Sequence, residues 1–338
     1  MGLEERKQRW LQLYEGKRRT VVLIEQADFG IRPVPSPQTM DAFLNWTVRR
    51  YEVQRDSLAW LDDDRIPYVT AGMGTDIFAG AFGCPVYYPG NSNPFAGHLI
   101  YSSKELAKLK QPKLEDSSLM EVMEFGHKLR KAAPEALIQL PDIQSPLDIA
   151  ALIWDKTDFF MSMYDEPEAV KDLISMVTIL LCEFLDLWFK TFGKEFIAHY
   201  PEYYMPWGIT LSEDEIGSLS AEHFREFSWP TLCDLSAQFG DKIGIHCCAN
   251  AQHQWELFKA IPNLVLLNLV QPSDIIREAS IFFRDGPPIW AAHARQNECH
   301  DFGSRAVLLG NAETKEEAKS ELARLREYGE RFTSPQTM

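Results

Sequence analysis

His246 and Cys248 close the stretch Asp241 to Asn250, DKIGIHCCAN. The run Ile243-Gly244-Ile245 reads as a buried strand, and Ala249-Asn250 as the small, polar exit from it. Alternate side chains of a strand share a face, so His246 and Cys248 point one way and Cys247 the other. Imidazole and thiolate together suit a borderline-soft ion such as zinc. The competing reading is that a cysteine here is simply a small buried hydrophobe. Two ligands are too few for tight binding, so a third must come from a neighbouring loop. Cys299 is the first candidate, because the residues from Trp290 onward give its loop length to fold back. His293 and His300 are alternatives in that loop, and Glu202, a carboxylate, is the next choice.

The elements that must position these groups alternate. Thr20 to Ala27, Ile66 to Ala71, Ala136 to Leu140, Phe196 to Tyr200, Asp241 to Asn250, Leu264 to Val270 and Pro288 to Ala292 read as strands. Helical patterns separate them, the longest being Pro167 to Phe192. Ser220-Ala-Glu-His223 opens a helix on a serine cap. Arg331 to Thr333 is taken as a very short eighth strand. Buried strands alternating with helices imply a parallel sheet, and eight such repeats a closed (β/α)8 TIM barrel. The expected organisation is one barrel domain over residues 1–338. A covering helix lies at its N-terminus, over Glu4 to Tyr14, and its eighth helix is absent. In such a barrel the site lies at the C-terminal ends of the strands.

Composition narrows the partners. The chain has 338 residues, 45% of them hydrophobic, which is ample for a large core, and a net charge of -15. That acidity argues against nucleic acid and membrane surfaces as partners and leaves a small-molecule substrate. The N-terminus, MGLEERKQRW, lacks the apolar core of a signal peptide, and six cysteines spread through so long a chain suit reduced thiols. The expectation is a cytoplasmic protein.

Four stretches carry a resemblance: GTDIFAGAFGCPV after the second strand, SPLDIAALIW with FFMSMYDEPEAVKDLI after the third, LSAEHFREFSWP, and IGIHCCAN. Together they resemble the uroporphyrinogen decarboxylase superfamily, and in motif most nearly its zinc-dependent corrinoid methyltransferases. The likeness runs roughly from Lys7 to Tyr328. It implies the barrel, and a site at the strand C-terminal ends. Two departures stand out. Porphyrinogen decarboxylases carry an arginine-rich segment after strand one, and here that segment holds only Arg32. The methyltransferases add a third cysteine after strand eight, and no cysteine follows Cys299.

The resemblance implies roles for several residues. Asp76 matches the family's acidic position after strand two. It would hold pyrrole N–H groups in a decarboxylase, or contact metal or substrate in a methyltransferase. Its plain alternative is a loop aspartate capping a helix. Glu202 at the end of strand four is a ligand, a general acid or a solvated loop residue. Phe29, Tyr88, Tyr203 and Trp207 fall in loops after strands, which favours a large, partly apolar ligand, though loop packing also explains aromatics there. The expected activity is methyl transfer from a methylated corrinoid, carried on a partner protein, to a thiol held at zinc by His246, Cys248 and Cys299. Other readings remain open: cofactor-free decarboxylation of a tetrapyrrole, corrinoid-to-pterin transfer without zinc, or a binding barrel that has lost its site.

Overall fold

The computed structural model describes residues 1–26, 30–72, 74–291 and 305–331. The β-branched run TVVLIEQ forms β1, Thr20–Gln26, whose Val21, Val22, Leu23 and Ile24 are all buried, as in a strand covered on both faces. The other sheet strands that matter for the site are β2 (Tyr68–Val69), β3 (Leu137–Ile138), β4 (Ile209–Ser212), β5 (Ile243–Cys247), β6 (Leu264–Leu269), β7 (Ile289–Ala291) and β8 (Ala306–Ala312). All pairing among them is parallel: β2 with β3, β4 with β5 and β5 with β6, and β7 with β8 and β8 with β1. A parallel bridge from Gln144 to Ser212 ties the chain after β3 to β4. One hydrogen bond from the Leu267 N–H to the Pro288 carbonyl, 3.1 Å, ties β6 to β7.

The architecture is therefore a helix-rich α/β fold with parallel strands. Among the described residues the ladders do not join into a closed ring. One break is visible at β1, whose outer edge meets carboxylates rather than a strand. The Val22 N–H donates to Asp64 Oδ2 at 2.8 Å and the Ile24 N–H to Asp63 Oδ2 at 3.1 Å. Side chains thus satisfy the donors that an adjacent strand would otherwise have taken.

Two elements differ from the sequence reading. The strand after β7 is Ala306–Ala312; Arg331, expected to open the eighth strand, ends the helix Lys315–Arg331 that follows it, and Phe332 and Thr333 lie outside the described residues. The sequence reads Thr314 to Tyr328 as a charged helix ahead of the eighth strand; the helix follows the strand instead, and Ala318, Leu322 and Leu325 on it are buried against β1 and β8. AVLLGNA is a weak strand signal because it holds one β-branched residue, Val307, and carries a glycine and an asparagine before its last alanine. The region taken as one fourth strand is a hairpin. Phe196–Ile197 pairs antiparallel with Tyr204–Met205, and the chain then turns again into β4. Gly208 makes that second turn at φ 76°, and a Cβ there would lie 2.4 Å from the Lys242 carbonyl oxygen.

The helices follow their apolar spacing. Pro167–Phe192 buries Val170, Leu173, Ile174, Val177, Leu181, Phe184 and Trp188. Its turns at threes and fours form one face against the core. The serine cap is in place, with the His223 N–H donating to Ser220 Oγ at 3.2 Å. Among the described residues no helix is long and apolar enough to cross a membrane.

Candidate functional site

Strand register assembles the centre of the site. Ser212 of β4 lies opposite His246 of β5, and Asn268 of β6 lies opposite the same histidine. The register of β4 against β5 continues past both strand ends, so Asp214 meets Cys248: the Cys248 N–H donates to Asp214 Oδ1 at 2.6 Å. One ligand atom from each of Asp214, His246 and Cys248 falls within 4.8 Å of the others.

The surroundings of the histidine suit a metal ligand. Its Nδ1 lies 2.6 Å from Asn268 Oδ1, and an amide oxygen accepts, so Nδ1 carries the proton and Nε2 keeps its lone pair. Burial lowers the His246 pKa and favours the neutral ring. The Tyr200 ring meets it edge-on with centroids 4.5 Å apart. Cys248 is in the opposite condition. Desolvation, then the Asp214 charge, push its thiol up to about 12, so without a cation it stays protonated. An imidazole nitrogen, a sulfur and a carboxylate oxygen, with the imidazole held from behind, fit zinc with one position left for substrate.

A cavity of about 320 Å³ opens beside this cluster, lined also by Thr75, Asp142, His199 and Tyr200. His199 Nε2 lies 3.3 Å from Asp142 Oδ2. His199 and Tyr200 form the wall shared with a second cavity of about 390 Å³. The second cavity is charged: Arg32, Arg50 and Arg65 line it together with Glu25 and Glu202. Arg50 pairs with Glu202 at 2.7 Å and Arg65 with Glu25 at 2.8 Å. Burial alone would raise the Glu202 carboxyl, but the Arg50 guanidinium outweighs it and brings the pKa down to about 2. Arg50 also lies over the Tyr68 ring, 4.8 Å from its centroid.

A profile of the family described as uroporphyrinogen decarboxylase (URO-D) matches residues 70–316, which include Asp214, His246 and Cys248, the helix capped by Ser220 and most of the parallel strands. This chain belongs to the uroporphyrinogen decarboxylase family. Among solved structures, this family member is similar to a methyltransferase from Methanosarcina mazei, at 13% identity and a TM-score of 0.66. The match covers 97% of this chain and 99% of that one. At that identity the likeness is one of fold alone. No curated protein matches this family member.

The residues singled out from sequence fall in different places. His246 and Cys248 come together, with Cys247 fully buried on the other face. Cys299, His293 and His300 lie outside the described residues, as does Phe29. Glu202 faces the charged cavity and is tied to Arg50, so it is not the third member of the cluster. Asp76 is buried at the start of the helix Asp76–Ala81, and its Oδ1 has no hydrogen-bond partner among the described residues. Burial, then the charge of Asp142, raises its pKa. Tyr203 lines the charged cavity and is buried against Trp10, 5.3 Å between ring centroids. Tyr88 is 48% exposed and lines neither of the two cavities described here.

Trp207 requires correction as a cofactor-binding residue. The hairpin carries the chain back to the opposite end of the strands, where Gly208 touches Lys242 just ahead of β5. Trp207 packs there on Tyr14 of the N-terminal helix Leu3–Tyr14, 5.2 Å between centroids, and lines neither cavity.

Sequence reasoning missed Asp214, Asn268, Asp142, His199, Arg50 and Arg65. Asp214 had a signal: it belongs to the acidic run Ser212 to Glu215, and correct placement of β4 puts it level with Cys248. Arg50 had a weaker one, four residues after Trp46 on the same face of the helix Met40–Ser57.

Proposed function

We propose that this chain is a methyltransferase of the uroporphyrinogen decarboxylase family. Its strands would complete a (β/α)8 barrel, with the site at their C-terminal ends. The observation that carries the reading is the convergence of Asp214, His246 and Cys248. Those three would hold zinc, with Asp214 in the place of the third cysteine that the methyltransferases use. Zinc there would supply the Lewis acidity that keeps a substrate thiol as thiolate, the nucleophile for a methyl group brought by a corrinoid on a partner protein.

The chain's own groups then have distinct tasks. Asn268 fixes the His246 tautomer. Tyr200, against the His246 ring, limits water at the cluster. The charged cavity beyond His199 and Tyr200 takes the remainder of the thiol substrate. Its guanidiniums outnumber its carboxylates by one, which suits a substrate with a single negative charge. That balance also speaks against decarboxylation of uroporphyrinogen. Arg50 and Arg65 are already paired to Glu202 and Glu25 and do not stand ready for many substrate carboxylates.

The test is metal analysis of the purified chain, followed by demethylation of free methylcobalamin with small thiols, read by absorbance. The expected outcome is close to one zinc per chain and methyl transfer that stops on chelation and returns with zinc. Protein that binds no metal, or transfers methyl groups equally well without it, would overturn the reading.

A further inference from the structure

Asp148 is a buried carboxylate, 1% exposed, to which the chemistry above assigns no task. It sits in the first turn of the helix Pro146–Ile153, and its own N–H donates to the Ser145 side chain at 3.0 Å. The Ser145 N–H in turn donates to the Ser212 carbonyl at the end of β4, 2.7 Å away. The helix start is thus fastened to the strand that leads to Asp214. Both carboxylate oxygens of Asp148 are directed at one segment: Oδ2 accepts from the Asp214 N–H at 2.7 Å and Oδ1 from the Glu215 N–H at 2.9 Å. The preceding residue is held from the other side, with the Glu213 N–H donating to the His246 carbonyl at 2.8 Å.

We propose that Asp148 is the positioning residue of the candidate metal centre: its carboxylate fixes the backbone of Asp214 and Glu215, and so presents the Asp214 side chain to His246 and Cys248. The proposal rests on the zinc reading above. A loop is the least rigid support a ligand can have. Two hydrogen bonds from consecutive backbone amides to one buried side chain remove most of that freedom. Groups that hold ligands from behind affect metal affinity by about 10- to 100-fold.

The test measures zinc affinity of the full chain by competition with a chromophoric chelator, in four proteins: unsubstituted, D148N, D214N and the double variant. Asparagine keeps the shape of Asp148 but only one of its two acceptors. D148N should weaken zinc binding by about tenfold. In the D214N background the same change should do nothing further, because the ligand it positions is already gone. Equal losses in both backgrounds, or no loss in either, would overturn the proposal. If the unsubstituted chain binds no zinc, or D214N binds it as well as the unsubstituted chain, the zinc reading itself fails and takes the proposal with it. Amide exchange in the unsubstituted, metal-free protein gives a measurement that needs no variant. Slow exchange at Asp214 and Glu215 supports the clamp, and exchange at the rate of an open loop refutes it.

Discussion

The two halves of the site are built by different means. At the candidate metal cluster the side chains come from the ends of adjacent strands in register, and backbone pairing brings them together. In the charged cavity the groups come from β1, the helix Met40–Ser57, the segment before β2 and the hairpin after Phe196, with no ladder common to them. There, ion pairs hold the arrangement instead: Arg50 to Glu202 and Arg65 to Glu25. His246 keeps its place as long as the sheet does, while Asp214, just past the end of β4, also needs the hold on its backbone. The second half depends on its charges balancing each other, so a single substitution should disturb it without touching the first.

The largest effect that separates them is loss of metal. Cys248→Ala should lower zinc affinity at least about 100-fold, whereas Cys247→Ala, on the opposite face of the same strand end, should leave stoichiometry unchanged. Elemental analysis after gel filtration reads both, and metal loss in the Cys247 variant would mean the pleat does not divide the two thiols.

Next in size is Arg50→Ala. It leaves Glu202 without its principal partner and should cost about 1–3 kcal/mol in urea unfolding, with zinc content unaltered. The estimate is below that for a fully buried pair because the Glu202 side chain is 40% exposed. Parallel loss of zinc would show that the two halves are not independent. Trp207→Ala serves as a control from the far end of the strands. It should cost about 1–2 kcal/mol through lost packing on Tyr14, with no change in zinc or thiol affinity by calorimetry.

The smallest effect is in pH. The Glu202 carboxyl is held at about 2, below its ordinary 4.5. A depressed carboxyl contributes stability that is complete above the unfolded value and is lost as pH falls through the folded one. Stability should therefore decline from about pH 4.5 down toward 2. Arg50→Ala should abolish that portion, since burial without the guanidinium favours the protonated acid. Denaturant midpoints of both proteins at pH 5 and pH 3 make the comparison, and identical slopes would remove Arg50 as the cause.

Much of this was legible beforehand. Apolar runs announced most of the parallel strands, and Ser220 announced its helix. The pleat rule placed His246 and Cys248 on one side and Cys247 on the other, because a period of two is a property of a single strand. The same reasoning misplaced Trp207, since one apolar run, FIAHY, was read as a full strand when only two of its residues pair and the chain then doubles back.

The amino-acid order by itself determined the alternation of strands and helices, the family, and two members of the candidate cluster, all of which depend on residues near one another in the chain. Only the tertiary structure decided that Asp214 lies beside His246 and Cys248, and that Glu202 belongs to Arg50. Register between strands and the pairing of distant charges are set by which surfaces the packed chain brings together, and no local period encodes that.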